Sequence, residues 1–404
     1  MAPRKQQSAS SASSAEALPH VKLPQRHAPA SAVCLDAALD RLDASPLDAP
    51  RALEAVLGRP VLKREIQARA EARERYRART ASLLRAPGIA QRTPAWYAAR
   101  QTMVTASDIA QALDCAKFGT QRDFFQKKCG ADEEQKPFNA SIPPLKWGIM
   151  FEAVANAIYA RRNMCAVHEF GLLRHATVPF LGASPDGIND RGVMLEIKCP
   201  WRRKITGEIP DQYYYQIQGQ LEVCGLDECD YLECGFREEF SAAELFAALD
   251  ADKDGLAGDD DDDPGARGVF LERQAPAPSS ASDPPQYVYA PLGLSRGELQ
   301  AWADAALACG GQSARLRWWR LFDYSCVRVV RDPAFVAAML PLLEEVWGRV
   351  LRYRGDRGAY LAEVGAAAVA TPSSQQTQSP SRGGPILAYA FVNEDDEGDQ
   401  PCPT

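Results

Sequence analysis

The chain has 404 residues, of which 46% are hydrophobic and 25% are charged. It is longer than one typical domain of ~100 to 200 residues, and its apolar content excludes a wholly disordered protein. Eleven scattered cysteines without a CxxC pair exclude a disulfide-rich secreted scaffold.

The beginning of the chain lacks the apolar stretch of a signal peptide, and no segment reaches the ~18 consecutive apolar residues of a membrane span. We therefore expect an intracellular protein of the cytoplasm or nucleus with no membrane partner.

The net charge of -7 is unevenly distributed along the chain. Residues 244–263 hold nine acids and one lysine, and five further acids lie within residues 394–399. The rest of the chain is net positive, and residues 51–90 hold ten Lys and Arg against four Glu. A basic body with separate acidic segments can bind a polyanion.

Shifts in composition and periodicity divide the chain into six predicted segments. They are a disordered Ser/Ala/Pro-rich arm (1–50), a basic helical segment (51–90), a core (91–240), an acidic insertion (241–266), C-terminal strands and helices that complete the domain (267–362) and a disordered acidic tail (363–404).

Periodicity and turn signals predict the elements of the core and of the segment that follows the insertion. Helices are predicted at residues 93–100, 108–113, 147–162, 213–224 and 295–309. Strands are predicted at residues 171–176, 180–188, 193–200, 230–236, 268–272 and 286–290. Two more helical runs are predicted within residues 315–351, broken around 327–333. This order predicts an α/β fold with a central mixed sheet flanked by helices.

Two carboxylates and a lysine are expected to converge at the end of one predicted hairpin. A turn between Asn189 and Gly192 would bring Asp186 beside Glu196. Because side chains alternate along a strand, Glu196 and Lys198 share one face. Such oxygen ligands suit Mg²⁺, and the lysine can hold or deprotonate a water molecule, as phosphodiester hydrolysis requires.

Glu152 is a third candidate carboxylate, because it lies among apolar residues in a predicted helix and a buried acid needs a partner or a function. A D…ExK spacing by itself also fits a surface ion pair on a strand. The order Glu152, Asp186, Glu196, Lys198, Gln216 favours the catalytic interpretation.

Several ordered motifs together resemble the YqaJ viral-recombinase family, which is similar to phage lambda exonuclease and lies within the PD-(D/E)xK nuclease superfamily. The motifs are WYAARQTMVTASD, WGIMFEAVANAIY, GASPDG, LEIKCP and YYQIQGQLEVCG. The resemblance covers residues 92–240, with a weaker likeness in 318–335. It implies a restriction-endonuclease-like nuclease core, divalent metal (Mg²⁺, with Mn²⁺ as a substitute) and 5'-to-3' exonuclease action on double-stranded DNA ends in recombination or repair.

The resemblance also assigns roles to individual residues. The positions that resemble metal ligands are Glu152, Asp186, Glu196 and the carbonyl of Ile197. Lys198 resembles the catalytic lysine, and Gln216 resembles the glutamine that orients this lysine or the attacking water. The positions that resemble contacts to the phosphate of a DNA end are Arg100, Ser107, Thr105 and Lys146.

Two alternatives remain open from the sequence. One is an endonuclease of the same superfamily that needs no DNA end, and the other is a non-catalytic DNA-binding partner in recombination. The resemblance further implies cooperation with a single-strand annealing protein and assembly into a homo-trimer. A comparison of linear and closed circular duplex as substrates separates the two enzymatic interpretations.

Overall fold

A computed structural model of the chain describes residues 63–130, 142–251, 267–273, 285–311 and 313–365. The predicted N-terminal arm, most of the acidic insertion and nearly all of the acidic tail lie outside these ranges.

The described residues form ten α-helices and ten strands. The helices are α1 (Lys63–Arg85), α2 (Pro94–Gln101), α3 (Ile109–Ala112), α4 (Gln121–Cys129), α5 (Pro143–Arg162), α6 (Asp211–Cys224), α7 (Ala242–Ala251), α8 (Arg296–Cys309), α9 (Pro333–Gly355) and α10 (Arg357–Tyr360). The strands are β1 (Val104–Thr105), β2 (Val167–His168), β3 (Leu173–Arg174), β4 (Leu181–Ala183), β5 (Gly187–Asn189), β6 (Met194–Lys198), β7 (Glu228–Glu239), β8 (Arg267–Arg273), β9 (Gln286–Tyr289) and β10 (Arg315–Val330). A 3₁₀ turn (Ala106–Asp108) precedes α3, and a π-helical turn (Leu361–Gly365) follows α10.

Seven strands form the main sheet in the order β2-β5-β6-β7-β10-β8-β9. Strands β6 and β7 are parallel and are joined through α6, whereas the other neighbouring strands of this sheet are antiparallel. A smaller sheet has the order β1-β4-β3. The expected α/β fold with a central mixed sheet and flanking helices is confirmed.

The predicted turn between β5 and β6 is present and depends on a glycine. The backbone N–H of Gly192 donates to the carbonyl of Asn189 at 2.9 Å, and Gly192 has a φ of 79°. The Asn189 side chain accepts from the backbone N–H of Val193 at 2.9 Å, which closes the turn. A side chain at Gly192 would be strained in this left-handed conformation.

Local capping signals also agree with the structure. Thr93 caps α2 by accepting from the backbone N–H of Trp96 at 3.2 Å, and Pro94 occupies the first turn. Ser295 and Glu298 form a capping box at the start of α8.

The prediction of two helical runs within residues 315–351 is wrong in its first half. Residues Arg315–Val330 form β10, a 16-residue strand, and only α9 is helical. β10 is rich in aromatic and β-branched residues, and it pairs with β7 and β8 on its two sides. Paired neighbours on both edges satisfy its backbone, and this tertiary context decides against a helix.

The main sheet separates two apolar cores. On one face, α6 and α9 pack over Met194, Tyr231 and Val329. On the other face, α5 packs over Leu195 and Ile197. The alternation of β6 therefore directs Ile197 into the α5 core and directs Glu196 and Lys198 toward α6. In the described part of the chain, no helix combines the length and apolar character needed to cross a membrane.

Candidate active site

Asp186 and Glu196 meet at the β5–β6 hairpin. Asp186 immediately precedes β5, and the register pairs Gly187 with Leu195 on β6. The Asp186 carboxylate accepts the backbone N–H of Ile197 at 2.7 Å. The structure thus brings Asp186, Glu196 and Lys198 to one end of the hairpin, as predicted from the D…ExK spacing.

Glu196 is fully buried, and both of its carboxylate oxygens accept hydrogen bonds from side chains. Gln216 donates to one oxygen at 2.8 Å, and Lys198 forms an ion pair with the same oxygen. Gln220 donates to the other oxygen at 2.8 Å. Gln220 was not predicted from the sequence, although its spacing of four residues from Gln216 places both on one face of α6.

Lys198 remains charged in this environment. Burial opposes its charge, but Glu196, Tyr213 and Asp186 outweigh burial and raise its pKa above the usual lysine value. Its Nζ atom also lies 4.7 Å from the centroid of the Tyr213 ring. A protonated lysine can donate to a phosphate oxygen or hold a water molecule, but it cannot accept a proton in this state.

Asp186 has a pKa well above its usual range, because it is buried and because Glu196 and Glu152 lie close to it. Three carboxyl groups are therefore near one another with Lys198 as a partial counter-charge. A hard divalent cation fits this set of oxygen donors by its chemistry. Within the described ranges, however, no group of three or more His, Cys, Asp and Glu side chains is gathered as metal ligands.

Glu152 differs from the expectation of a buried acid. Its side chain is 37% exposed and pairs with Arg92, whose Nη2 atom lies 2.8 Å from a Glu152 oxygen. The expectation was wrong because apolar neighbours in the sequence of α5 point away from the Glu152 position, toward the α5 core. Pairing with Arg92, together with the three donors on Glu196, explains why the carboxylates do not converge on one point.

A second polar cluster assembles the W…R…TAS motif. Arg100 donates to the Ser107 hydroxyl at 3.0 Å, and this hydroxyl lies 3.2 Å from the hydroxyl of Thr105. The Arg100 guanidinium lies 4.2 Å from the centroid of the Trp96 ring. Trp96 in turn donates to the Ser184 hydroxyl at 3.0 Å, which connects this cluster to the segment that carries Asp186. The sequence motif contained Ser184, but its link to Trp96 was not foreseen.

Helix α4 adds two lysines to this cluster that the sequence did not indicate. Both pair with Asp108, with Nζ–O distances of 2.7 Å for Lys127 and 2.9 Å for Lys128. Lys128 also donates to the backbone carbonyl of Arg100 at 2.7 Å. Burial lowers the pKa of Lys128 to about 7. Burial also disfavours the charge of Asp108, but the two lysines and Arg100 hold the Asp108 pKa well below its usual range.

We call the group Arg100, Thr105, Ser107, Lys127 and Lys128 the anion cluster. Three basic side chains in this group face one buried carboxylate, that of Asp108. The cluster therefore has more hydrogen-bond donors and more positive charge than this one carboxylate, and such groups bind phosphate.

The contacts that the structure describes for Lys146 are not with the anion cluster. Its Nζ atom is 2.5 Å from a carboxylate oxygen of Glu272 on β8, and Arg317 on β10 pairs with the same residue. The structure therefore places this predicted phosphate contact in a separate ion-pair group on the far strands of the sheet.

The fold and the site define an α/β protein with a buried carboxylate–lysine centre beside a basic cluster. The sequence profile of the YqaJ-like viral recombinase domain matches residues 95–227, which contain Asp186, Glu196 and Lys198. This match agrees with the motifs in the sequence, and the resemblance predicted from them is confirmed.

Viral proteins are among the relatives of this chain. The chain is 27% identical over 301 residues to the uncharacterized protein R354 of Acanthamoeba polyphaga mimivirus, covering 66% of this chain and 54% of that protein. It is 27% identical over 162 residues to a protein of African swine fever virus, covering 32% of this chain and 45% of that protein. The chain spans about half the length of these curated relatives.

Among solved structures, the chain is similar to the alkaline exonuclease LHK-Exo from Laribacter hongkongensis. The sequence identity is 20% and the TM-score is 0.38, with 69% of this chain and 100% of that chain covered. The crystal structure of LHK-Exo in complex with dAMP gives the same values.

Proposed function

We propose that this protein is a metal-dependent deoxyribonuclease that degrades double-stranded DNA from its ends, in the 5'-to-3' direction, during recombination or repair. The observation that carries the proposal is the buried centre of Asp186, Glu196 and Lys198 inside a YqaJ-like viral recombinase domain. A buried acid pair with a charged lysine is costly for a binding protein that has no chemistry to perform.

We assign the metal-holding role to Asp186, Glu196, the Ile197 carbonyl and Glu152, and the metal to Mg²⁺, for which Mn²⁺ would substitute. The raised pKa of Asp186 supports this assignment, because nearby carboxylates repel one another until a cation offsets their charge. When bound, the ion would polarise the phosphoryl oxygen and acidify a water molecule.

The residues of the chain itself contribute position and charge. Gln216 and Gln220 fix both oxygens of Glu196, so that this carboxylate keeps one orientation. Lys198, which remains protonated, donates a hydrogen bond to the attacking water or to a phosphate oxygen. Its positive charge stabilises the negative charge that develops in the transition state.

The anion cluster is our candidate for the contact to the terminal phosphate of a DNA end. The guanidinium of Arg100 can donate two parallel hydrogen bonds to a phosphate, and Ser107 and Thr105 add hydroxyl donors. The link from Trp96 to Ser184 supports a fixed spacing between this phosphate and the scissile bond. A fixed spacing would make cleavage depend on an end.

Incubation of the purified protein and Mg²⁺ with linear and with closed circular duplex tests the proposal. We expect release of mononucleotides from linear DNA alone, no release in EDTA, and no release by the matched variant Glu196→Gln. Cleavage of closed circles would support the endonuclease alternative. DNA binding without hydrolysis in Mg²⁺ and in Mn²⁺ would support the non-catalytic alternative.

The direction of degradation along the DNA strand and the oligomeric state of the protein are tested by separate measurements. A duplex labelled at one 5' end should lose its label first, and a 5'-phosphate should be preferred over a 5'-hydroxyl. The proposed homo-trimer would appear as three chain masses by light scattering. Co-purification with a single-strand annealing protein from the same source would support the proposed partner.

A further inference from the structure

The sheet face that carries Glu196 and Lys198 continues along β7 beyond the end of β6. The register pairs Lys198 with Glu233, and Gly235 lies two residues farther along β7. Because side chains alternate, Glu233, Gly235 and Arg237 share the face of the carboxylate–lysine centre. The loop after β6 lies along this face, since Arg203 forms an ion pair with Glu233.

A β-bulge on the neighbouring strand changes the direction of an aromatic side chain at this point. The register of β10 shifts between Leu321 and Asp323, which leaves Phe322 as the extra residue. The Phe322 side chain is 41% exposed. A Cβ atom added to Gly235 would lie only 2.9 Å from the Phe322 ring, so the ring lies over Gly235. The guanidinium carbon of Arg237 lies 4.6 Å from the ring centroid.

The charges around the ring favour an anionic ligand. Two acids of this face are already neutralised, Glu233 by Arg203 and Glu239 by Arg320.

Arg237, the exposed cation beside the ring, by contrast has no ion-pair partner among the residues that the structure describes. Asp323 adds one carboxylate beside Phe322, so a bound phosphate is expected on the side of Arg237.

We propose that Phe322 and Arg237 form a stacking platform for one nucleotide of the DNA strand near the scissile phosphate. The base would stack on the Phe322 ring, and its phosphate would contact Arg237. Gly235 lies about 7 Å along β7 from the Lys198–Glu233 pair, which is about one nucleotide from the reacting phosphate. Aromatic rings with neighbouring arginines bind single-stranded nucleic acid without regard to sequence. This inference rests on the proposed nuclease function.

The test compares Phe322→Ala with a matched control, Phe240→Ala. Phe240 follows the end of β7, is 95% exposed and lies outside the platform. Affinity for a short DNA duplex with a single-stranded end is measured by fluorescence anisotropy in Ca²⁺, which should permit binding without turnover. We expect roughly 10-fold weaker binding for Phe322→Ala, and unchanged binding for Phe240→Ala and Phe322→Trp.

An abasic scan along the strand adds a second readout. One abasic position, within about two nucleotides of the cleaved phosphate, should weaken binding by the wild-type protein as much as Phe322→Ala does. At that position the variant should lose no further affinity. Gly235→Ala should reproduce the defect, because its added methyl group displaces the ring.

Two outcomes separate this inference from the proposed function. A wild-type protein that degrades no DNA contradicts the nuclease assignment itself. If the wild-type protein is active and Phe322→Ala does not change its DNA affinity, the platform is overturned and the nuclease assignment stays intact. The same holds if Phe322→Ala weakens DNA binding but this loss of affinity is neither rescued by Phe322→Trp nor sensitive to the abasic position.

Discussion

Glu196 is the residue on which the hydrogen bonds of the site converge. It is fully buried and accepts from Lys198, Gln216 and Gln220. Removing Gln220 would leave one buried carboxylate oxygen without its side-chain partner, and removing Gln216 or Lys198 would leave the other oxygen with one donor in place of two. Each of the three donors therefore supports both the position of Glu196 and the local fold.

Replacement of Lys198 tests its role as a positioned cation. We expect Lys198→Ala to lower the hydrolysis rate by on the order of 10²-fold or more. Metal affinity, measured by titration calorimetry, should change little, because Lys198 is not among the assigned ligands. Complete loss of metal binding would instead assign Lys198 to holding the carboxylates.

The raised pKa of Asp186 predicts a dependence of stability on pH. A carboxyl whose folded-state pKa is raised stabilises the fold fully below its ordinary pKa of 3.8, and this contribution is lost as the pH rises through the folded-state pKa. In EDTA at neutral pH, Asp186→Asn should therefore melt higher than the wild type, by roughly 2 °C or more.

Bound Mg²⁺ should reverse this difference in melting temperature between the wild type and Asp186→Asn. Mg²⁺ is expected to raise the melting temperature of the wild type more than that of Asp186→Asn, because a bound cation offsets the carboxylate repulsion. Differential scanning calorimetry from pH 4 to pH 8, with and without Mg²⁺, makes the measurement. Equal melting temperatures across this range would mean that Asp186 is not destabilised by its neighbours.

At the scale of elements, helices supply the residues that hold the site in place. Helix α6 presents Tyr213, Gln216 and Gln220 to the centre on β6. Helix α9 reaches the anion cluster from the opposite end of the chain. Arg354 donates to the carbonyl of Gln101 at 2.6 Å and to that of Lys128 at 2.8 Å, at the C-terminal ends of α2 and α4. Positive charge at these ends also complements the helix dipoles.

Arg354 is accordingly expected to position the anion cluster without touching DNA. Arg354→Ala should raise the apparent KM for 5'-phosphorylated ends by roughly 5-fold, with kcat changed less than about 2-fold, as expected for lost charged hydrogen bonds. Arg352→Ala is the matched control, because Arg352 lies on the same helix and pairs with Glu363. Equal effects of the two variants would indicate a general destabilisation of α9.

At the scale of the whole molecule, the sheet extends beyond the matched domain. The YqaJ-like profile ends at residue 227, whereas β7, β8, β9 and β10 follow it in the chain and form four of the seven strands. Helix α1, which precedes the domain, is joined to β7 by the ion pair of Arg69 with Glu228. The candidate site is therefore supported by strands and a helix that lie outside the matched domain.

The acidic segment is expected to weaken DNA binding through its charge. Deletion of residues 252–263, which lie outside the described ranges, removes seven acids and one lysine. Nuclease activity should survive, and DNA affinity should rise at low salt, because like charge repels phosphate within about a Debye length. Affinity and end-degradation rate are measured across a salt series.

A variant of the same length with Asn in place of each Asp is the control for this deletion. It should match the deletion if charge is responsible. Loss of activity in both proteins would instead make the acidic segment a required element.

Features that depend on neighbouring residues could be predicted from the sequence alone. Ten positions separate Asp186 from Glu196, so the turn at Gly192 and strand alternation suffice to bring them together. The starts of α2 and α8 follow from equally local capping signals, whereas the role of Gln216 was predicted from the family resemblance.

Features that depend on contacts between distant parts of the chain could be seen only in the folded protein. Lys127 and Lys128 reach Asp108 and join Arg100 because α4 packs against α3, which no local pattern encodes. Glu152 is half-exposed because Arg92, 60 residues earlier, is its partner. β10 is a strand because two neighbouring strands satisfy its backbone, and pairing over such sequence distances outweighs local propensity.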